Sequence, residues 1–253
     1  MPRFYIEHLP AVDVTFELPS DVAHHALRVL RAQVGDTITV FNGQGIEAEL
    51  VVESTTKHHA TARVLSAQIC DRESPLPLML AQGLCTADKM DWVIEKAVEL
   101  GVTAIQPLQT EKSVLRLDAE RAQRKLAHWQ EIVRSACGQS GRNTLPTVWP
   151  VQPLNQWLVQ WRAARSTLPS MSGALWMLTP RAPQTLRQAN LATTTESPTI
   201  LLIGPEGGLS PAEEALAYAQ GAVGFRLGPR ILRTETAGLA ALAALQALYG
   251  DLG

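Results

Sequence analysis

The sequence has few cysteines and no clustered metal ligands. Its three cysteines, Cys70, Cys85 and Cys137, are odd in number and widely spaced. Disulfide frameworks and zinc sites instead use even sets of cysteines or short ligand spacings. In each of the histidine pairs His24-His25 and His58-His59 we expect the two rings to point to opposite faces of their helix or strand. The composition therefore predicts neither a disulfide framework nor a metal site.

Long apolar segments are also missing. No hydrophobic run approaches the roughly 18 residues that a membrane-spanning helix requires. Residues 1–4 read Met-Pro-Arg-Phe and lack the apolar core of a signal peptide. Hydrophobic residues make up 46% of the chain and charged residues 18%, which is typical of a globular protein. We therefore expect a cytoplasmic protein with no membrane contact.

The chain lacks a large net charge. Its formal net charge is −2, which excludes binding to nucleic acid through bulk charge alone. Positive charge is nevertheless concentrated in one segment, whose basic residues are Lys112, Arg116, Arg121, Arg124, Lys125, Arg134 and Arg142, against Asp118, Glu120 and Glu131. Arginine suits phosphate contact and base stacking, but a solvated helix face has the same composition, so both interpretations stay open.

Residues 1–70 are predicted to form a small β-barrel module, followed by a linker at 71–77. The predicted strands are 36–41, 46–53 and 60–69. Asn42-Gly43 is typical of a hairpin turn between the first two strands. Ser20 is a candidate N-cap for a helix that reaches about residue 32. The helix residues expected to face inward are Val22, Ala26, Val29 and Leu30.

Residues 78–253 are predicted to form an α/β domain with a mostly parallel sheet covered by helices on both faces, because strands alternate with helices there. The predicted strands are 102–108, 174–178, 197–203 and 223–227, and the predicted helices are 88–100, 118–136, 153–164 and 237–249. The inward residues of the first two helices are Met90, Val93, Ile94, Ala97, Val98, Ala122, Leu126, Trp129 and Val133. The last helix is apolar nearly all round, so we expect it to be buried in the core or in a subunit interface.

A glycine-containing loop at 204–210 directly follows an apolar strand. Ser210, Pro211 and Glu213 have the spacing of a helix-capping box. Glycines at a strand end let backbone amides approach a ligand, and ligands of open α/β sheets bind at the carboxyl ends of strands. A tight turn is the structural alternative, but three glycines and Glu206 exceed what a turn needs.

A second loop, at 228–237, also follows a predicted strand and precedes the final helix. It contains Arg230, Ile231, Leu232, Arg233 and Glu235. An exposed Arg233–Glu235 ion pair would be a purely structural explanation. Two such loops on strands about twenty residues apart favour one shared small-molecule site instead.

Several common active-site motifs are absent from the sequence. There is no Gly-x-x-x-x-Gly-Lys-Ser/Thr phosphate loop and no Gly-x-Ser-x-Gly elbow. The near match to a dinucleotide fingerprint at 43–48 continues into a predicted strand instead of a helix. The sequence therefore argues against a P-loop nucleotidase, an α/β-hydrolase and a dinucleotide-dependent enzyme.

The two C-terminal loops resemble the RsmE family of 16S ribosomal RNA methyltransferases, which belongs to the SPOUT superfamily. The matching segments there are Ile203-Gly-Pro-Glu-Gly-Gly-Leu-Ser210 and Leu227-Gly-Pro-Arg-Ile-Leu-Arg-Thr-Glu-Thr-Ala237. Further matches are 88–102, 110–114 and 139–142, and 3–5, 29–31, 35–36 and 41–45 in the N-terminal module. The resemblance covers nearly the whole chain. Thr86-Ala87, Lys112 and Gly138 depart from the family pattern.

The resemblance implies an N-terminal PUA-like RNA-binding β-barrel and a SPOUT-type α/β domain with a trefoil knot. It also implies a homodimer that binds S-adenosylmethionine (SAM) and no metal. The implied reaction is methylation of N3 of a uridine in the decoding region of 16S rRNA within the 30S subunit. A SPOUT methyltransferase acting on a tRNA base or a ribose hydroxyl, and a non-catalytic RNA-binding assembly factor, are the alternatives.

Site residues follow from the same resemblance. The residues expected to hold SAM are Leu178, Thr179, Ile203, Gly204, Pro205, Glu206, Gly207, Gly208, Leu227, Gly228, Ile231, Leu232, Thr234, Thr236 and Ala237. Arg233 is expected to stabilise negative charge on the uracil, and Glu206 or Glu235 is the candidate base, although either glutamate could instead hold its loop in shape. The residues expected to bind RNA are Arg3, Arg28, Arg31, Arg116, Arg121, Arg124 and Arg142.

Overall fold

The computed structural model describes residues 3–164, 173–188 and 198–253. They divide into two compact units. The first comprises Met1–Glu73 and Arg134–Leu145, and the second comprises Ser74–Val133 and Pro146–Gly253. Unlike the division expected from the sequence, these units do not follow chain order, because residues 134–145 join the N-terminal segment.

The first unit is built on a five-stranded sheet with one helix. Its elements are β1 (Arg3–Tyr5), β2 (Thr15–Glu17), α1 (Ser20–Arg28), β3 (Thr37–Phe41), β4 (Ile46–Thr55) and β5 (Ala60–Ile69). The strands pair in the order β1-β3-β4-β5-β2, and only β1 and β3 are parallel. The three strands expected from the alternation of apolar residues are confirmed as β3, β4 and β5. Strands β1 and β2 escape sequence analysis because three residues are too few to show an alternation.

The predicted hairpin turn between β3 and β4 is confirmed. The Asn42 side-chain oxygen accepts hydrogen bonds from the N–H groups of Gln44 (2.8 Å) and Ile46 (3.1 Å). Gly43 has a φ of +74°, a conformation that favours glycine. The turn chemistry therefore sets the register of the hairpin.

Helix α1 differs from the prediction at both ends. Its N-cap is Pro19, and Ser20 is the first helical residue and makes no capping bond. The helix ends at Arg28, and Val29 is exposed instead of buried. Arg31 then takes a φ of +56°, which ends any helical continuation to residue 32. Of the inward residues predicted here, Val22 and Ala26 are buried, and Leu30 is partly buried against the core.

The second unit is built on a parallel seven-stranded sheet. Its elements are β6 (Leu78–Gly83), α2 (Ala87–Glu99), β7 (Val102–Gln109), α3 (Ala119–Ser140, continuing into the first unit), β8 (Thr147–Val148), β9 (Gln152–Pro153), α4 (Leu154–Ala164), β10 (Leu175–Leu178), β11 (Thr199–Ile203), α5 (Pro211–Ala219), β12 (Val223–Phe225) and α6 (Thr234–Tyr249). The strand order is β12-β10-β11-β6-β7-β8, with β9 beside β7, and every pair is parallel. This confirms the predicted α/β class.

Helices cover both faces of this sheet. Successive residues of its buried strands point to opposite sides, so both faces carry apolar side chains that a helix layer must cover. Met79 of β6 and Leu202 of β11 share one hydrophobic cluster with Trp157 of α4. On the other face, Gly238 of α6 lies so close that an added Cβ would contact Leu80 of β6 at 3.5 Å. Each strand therefore contributes apolar side chains to two cores.

The helix faces predicted for α2 and α6 are largely confirmed. All five inward residues expected in α2 are buried: Met90, Val93, Ile94, Ala97 and Val98. Gly101 follows the helix with a φ of +78°, as a C-terminal glycine should. Helix α6 buries one face, while Leu248 and Tyr249 near its end are exposed. In α3, Trp129 and Val133 are buried, whereas Ala122 and Leu126 are half-buried.

None of the described helices is long and apolar enough to cross a membrane.

The chain crosses over itself before α6. Strand β12 is at the edge of the sheet, yet α6 packs against β11, β6 and α2. Residues 226–233 must therefore pass across the carboxyl ends of β10 and β11 to connect them. This crossing brings the last loop of the chain next to the loop that leaves β11.

Gly138 of α3 lies against β1, where an added Cβ would stand 2.9 Å from the carbonyl oxygen of Arg3. We expect Gly138→Ala to lower the free energy of unfolding by about 1–3 kcal/mol, because the clash with backbone outweighs the roughly 1 kcal/mol that alanine adds to helix propensity. Ser135→Ala, at an exposed position of the same helix, should change stability by less than about 0.5 kcal/mol. Chemical denaturation measures both, and an alanine variant at 138 as stable as the wild type would contradict the close approach.

Candidate active site

Two loops lie side by side at the carboxyl end of the parallel sheet. The first loop, residues 204–210, joins β11 to α5, and the second loop, residues 226–233, joins β12 to α6. The predicted capping box is present: the Ser210 hydroxyl accepts from the Glu213 N–H (3.2 Å), and the Ser210 N–H donates to the Glu213 carboxylate (2.8 Å). The start of α5 is therefore fixed, and with it the end of the first loop.

Two glycines at this edge permit close packing, and two others face open space. An added Cβ on Gly204 would lie 2.8 Å from the Leu209 nitrogen, and one on Gly83 would lie 2.7 Å from the Pro205 nitrogen. Gly208 and Gly228 have φ values of +65° and +69°, and nothing lies within 4 Å of an added Cβ at either. Gly204 lets the first loop fold back on itself, and Gly83 lets the end of β6 approach that loop, whereas Gly208 and Gly228 leave bare backbone beside open space.

Thr234 joins the two loops through buried hydrogen bonds. Its hydroxyl donates to the Gly204 carbonyl at 2.6 Å. The Gln82 side-chain amide donates to the Thr234 hydroxyl and to the Gly83 carbonyl, both at 3.0 Å. Gln82 is completely buried in β6. One polar cluster therefore ties β6, the first loop and the start of α6 together.

A cavity of about 550 Å³ lies between the two loops, within the second unit. Its lining residues are Lys112, Leu178, Thr179, Pro180, Arg181, Ile203, Gly204, Pro205, Glu206, Gly207, Gly208, Leu209, Glu214, Arg226, Leu227, Gly228, Pro229, Arg230, Ile231, Leu232, Thr234 and Ala237. This volume falls in the range of about 300–1,000 Å³ usual for small-molecule sites.

The cavity brings together nearly all residues that the sequence suggested for a cofactor. Of that set, only Thr236 is absent from the lining, because it is exposed on the first turn of α6. Glu206 lines the cavity, but Arg233 and Glu235 do not. The binding role of the lining residues stays a prediction.

At the polar end of the cavity, Thr179 was expected from the sequence, whereas Arg181, Glu214 and Arg226 were not. The Thr179 hydroxyl donates to a carboxylate oxygen of Glu214 at 2.8 Å, and the Arg181 guanidinium pairs with the same carboxylate at 2.7 Å. Arg226 donates to the carbonyl of Ala182 at 2.6 Å. The other lining residues missed from the sequence are Lys112, Pro180, Leu209, Pro229 and Arg230. Lys112, Pro229 and Arg230 lie within segments that match the family, so the sequence could have indicated them. Glu214 and Arg226 lie outside those segments, and nothing in the sequence indicated them.

Lys112 reaches the first loop from the segment after β7. Its ammonium group donates to the carbonyl of Gly207 at 3.1 Å and to that of Leu209 at 3.4 Å. Lys112 is one of the departures from the family pattern. A lysine donates its hydrogen bonds as a point charge and lacks the planar fork of the expected arginine.

Glu206 is held in place by helix α2. Its carboxylate accepts from the Thr86 N–H at 3.0 Å and lies 3.4 Å from the Lys89 ammonium. Burial raises the pKa of Glu206, but the hydrogen bonds from Thr86 and from its own backbone, together with Lys89, outweigh burial and bring this pKa below its ordinary value. A carboxylate that is so well stabilised is a weak base. These contacts favour the loop-holding alternative for Glu206.

The two remaining catalytic candidates lie at the start of α6. Glu235 Oε2 is 3.5 Å from the Lys89 ammonium, so Lys89 lies between both candidate bases. The Arg233 side chain is exposed at the N-cap of α6. Arg233 is therefore accessible to a second substrate, whereas the Glu235 side chain is 19% exposed.

Cys85 lies near the carboxylates of Glu206 and Glu235, but its thiol is not ionised at neutral pH. It is fully buried, and burial raises the pKa of its thiol to about 12, with the charge of Glu206 adding to the effect. At neutral pH it is a thiol, not a thiolate nucleophile. All three cysteines are free, as the sequence predicted.

Two of the arginines expected to bind RNA are internal instead. Arg142 is 5% exposed and its guanidinium donates to the Glu73 carboxylate at 2.9 Å. Arg3 pairs with Glu47 at 2.9 Å and also donates to the side chain of Asn143. These pairs hold both side chains largely out of solvent. The RNA-binding role expected for Arg3 and Arg142 stays a prediction.

The other five arginines of that set are on the surface. Arg28 and Arg31 are exposed in the first unit, and Arg116, Arg121 and Arg124 are exposed in the second. Arg121 and Arg124 each pair with an acidic residue of the same helix region, Asp118 (3.4 Å) and Glu120 (2.5 Å). Such exposed pairs contribute little and exchange readily for other anions.

Thr234→Val removes the hydroxyl that joins the two loops but keeps the shape of the side chain. We expect it to lower the free energy of unfolding by about 1–3 kcal/mol, because the Gly204 carbonyl keeps only the 3.4 Å contact from Gln82 and the buried Gln82 amide loses an acceptor. Thr234→Ser keeps the hydroxyl and should lose about 1 kcal/mol or less. Urea denaturation of the two variants checks this; equal stability of the valine and serine variants would show that the hydrogen bonds do not matter.

Two family models match the chain over these regions. The model described as an RNA methyltransferase domain matches residues 72–246, and the model described as an RNA methyltransferase PUA domain matches residues 18–65. The first match alone covers more than half of the chain and includes both loops. The second falls in the strand-rich N-terminal segment, as predicted.

Curated relatives and solved structures match over the full length. The "Ribosomal RNA small subunit methyltransferase E" of Bacillus subtilis is 33% identical, covering 99% of this chain and 100% of that protein. Its Synechocystis counterpart is 35% identical, covering 94% and 74%.

Two crystal structures have the same architecture. The methyltransferase E of Neisseria gonorrhoeae bound to S-adenosylmethionine is 39% identical, with a TM-score of 0.86 over 100% of both chains. A methyltransferase of Legionella pneumophila in complex with SAM is 35% identical, with a TM-score of 0.88 over 99% of this chain and 98% of that one. These matches confirm the predicted SPOUT fold class. The chain belongs to the ribosomal RNA small subunit methyltransferase E family.

Proposed function

We propose that this protein is a SAM-dependent methyltransferase that methylates N3 of a uridine in the decoding region of 16S rRNA. The observation that carries the proposal is the cavity between the two glycine loops. It lies at the carboxyl end of a parallel sheet, where such folds bind their ligands, and it contains all but one of the residues that the family resemblance suggested for SAM. Relatives with the same architecture are crystallised with SAM.

The residues of the cavity fit SAM. Gly208 and Gly228 present open backbone, which can cradle a ligand without steric hindrance. Leu178, Ile231 and Leu232 provide apolar surface for the flat adenine ring. Ile231 is 83% exposed, so a bound ring would cover an apolar side chain that otherwise faces water.

The Glu214 carboxylate also suits the cofactor. It lines the cavity at its polar end, and its hydrogen bonds with Thr179 and Arg181 hold it in one orientation. Hydroxyl and ammonium groups of the ligand are the chemical partners of such a carboxylate. We therefore assign the polar end of the cavity to the ribose or methionine portion of SAM.

Bound SAM supplies a methyl group that its sulfonium already activates. The protein must then align the uracil and help its N3 lose a proton. Arg233, exposed at the start of α6, stabilises the negative charge that develops on the uracil. Glu206 holds the first loop to α2, which leaves Glu235 as the candidate base. Lys89, between the two glutamates, keeps both loops in register with α2.

Exposed arginines hold the RNA. Arg28 and Arg31 of the first unit and Arg116, Arg121 and Arg124 of the second contact phosphates, which carry most of the affinity in protein–RNA complexes. The target uridine must leave its stack to enter a pocket, so an unpaired or distorted segment is the substrate. We assign the protein to the cytoplasm because ribosomal RNA is its proposed substrate.

We further propose that the active unit is a homodimer. Helix α6 is apolar nearly all round but buries only one face within a single chain. Leu248 and Tyr249 at its C-terminal end, and Leu252 just beyond it, are exposed. A second copy of the chain is the occupant expected from the family resemblance, and it would remove this surface from water.

Reconstitution tests the reaction and its target. Small ribosomal subunits from a strain that lacks its own enzyme of this family should gain N3-methyluridine when they are treated with this protein and SAM. Mass spectrometry of the nucleosides identifies the modified base. If methylation is found on tRNA or on a ribose hydroxyl instead, the target assignment is wrong; if SAM does not bind in calorimetry, the enzyme assignment is wrong.

Arg233→Ala tests the electrostatic role. We expect the rate at saturating RNA and SAM to fall about 100- to 1,000-fold, because a donor to the developing charge is lost. The Kd for SAM should change by less than about threefold, since Arg233 does not line the cavity. Arg233→Lys, which keeps the charge but not the planar fork, should retain part of the rate. A full rate in the alanine variant would overturn the role.

A further inference from the structure

A second cavity of about 240 Å³ lies in the first unit, outside the methylation site. Its lining residues are Ser20, His24, Leu27, Arg28, Lys57, His58 and His59. The first four come from α1 and the last three from the turn between β4 and β5. The positions 20, 24, 27 and 28 recur at helical spacing, so they form one face of α1.

The turn that supplies the other wall is closed by its own hydrogen bonds. The Thr56 N–H donates to the His59 carbonyl at 2.8 Å, and the His59 N–H donates to the Thr56 hydroxyl at 3.1 Å. Lys57, His58 and His59 are therefore presented on a preformed turn. His25, in contrast, packs edge-on against Phe4, with ring centroids 5.2 Å apart, and takes no part. The two histidines of α1 thus point apart, as predicted, whereas His58 and His59 line the same cavity.

The polar groups of this cavity are hydrogen-bond donors or cations, and no carboxylate is among its lining residues. Arg28 and Lys57 carry fixed positive charge, and Ser20 and the three histidines add further donors. The acidic neighbours are Glu17, which is hydrogen-bonded to His59 at 2.5 Å, and Asp21 on the first turn of α1. Within the lining itself, Arg28 and Lys57 therefore face no carboxylate.

An anion is the ligand that matches this chemistry. No group of three metal-ligating side chains capable of holding an ion occurs among the described residues, and Arg28 and Lys57 would repel a cation. The volume is below the roughly 300 Å³ at which cofactor-sized sites begin, so a small group such as a phosphate is expected. Leu27 supplies one apolar surface, on which a sugar carbon face can rest.

We propose that this cavity binds a backbone phosphate of the substrate RNA, and that α1 and the β4–β5 turn together form this docking point. The inference rests on the proposed function only in taking RNA as the substrate. RNA is favoured over an acidic protein because both walls fall within residues 18–65, which match the RNA methyltransferase PUA model. Arg28 would then bind the phosphate together with Lys57, His58 and His59, a grouping that the sequence alone did not predict.

The experiment measures binding of the full-length protein to 30S subunits without SAM, over a series of salt concentrations. We expect Arg28→Gln and Lys57→Gln each to weaken binding about 5- to 10-fold, because each removes a charged hydrogen bond to phosphate. Each should also reduce the slope of log affinity against log salt by about 0.7. Arg63→Gln is the matched control, since it removes the same charge from an exposed position of β5, outside the cavity, and should leave both quantities unchanged.

Naked 16S rRNA and inorganic phosphate separate the possible ligands. An equal loss with naked 16S rRNA supports RNA, whereas a loss confined to assembled subunits indicates a ribosomal protein and overturns the proposal. Affinity unchanged in both variants overturns it as well, and binding of inorganic phosphate alone, without any effect on RNA, would identify a free-anion site instead. Since no methyl transfer is measured, failure of the proposed reaction would be seen separately, in the nucleoside assay.

Discussion

The hydrogen bonds of Thr234 with Gly204 and Gln82 are the interaction on which the methylation site depends. A buried carbonyl at the end of β11 needs a donor, and the first residue of α6 supplies it. Helix α6 is itself packed against β6, β11 and α2, so the second loop is anchored to the sheet on both sides. The cavity between the loops is therefore lined by segments that the core of the second unit anchors.

Charge is arranged differently in the two units. In the second unit, the Lys89 ammonium group lies between Glu206 and Glu235 and partly neutralises both carboxylates. In the first unit, the Arg3 and Arg142 side chains pair with Glu47 and Glu73, and the exposed Arg28 and Lys57 line the small cavity beside α1. Positive charge at the surface of this chain, whose net charge is −2, is thus local and does not form a general field.

The elements that sequence analysis predicted well are those whose evidence is local. Helix α2 shows its complete inward face, and the capping box at Ser210 marks the start of α5 because both depend on residues three or four positions apart. Helix α1 ends earlier than predicted. Arg31 beyond it takes a positive φ, and the sequence does not signal that conformation at a non-glycine residue. Arg142 and Arg124 stand in the same basic segment, yet one is buried against Glu73 and the other is exposed. No spacing along the chain distinguishes them, because the partner of Arg142 is distant in sequence.

By itself, the sequence determined the parallel α/β class, the two glycine loops at strand ends and the family to which they belong. Each of these rests on residue types within a short stretch, and such stretches have strong conformational preferences of their own. Only the tertiary structure decided that Glu214, Arg226 and Lys112 join the cavity, and that Glu206 contacts Thr86 and Lys89 at the start of α2. It also brought the histidines of α1 and of the β4–β5 turn to one small cavity. These outcomes depend on distances between segments far apart in the chain, and packing of the core alone sets those distances.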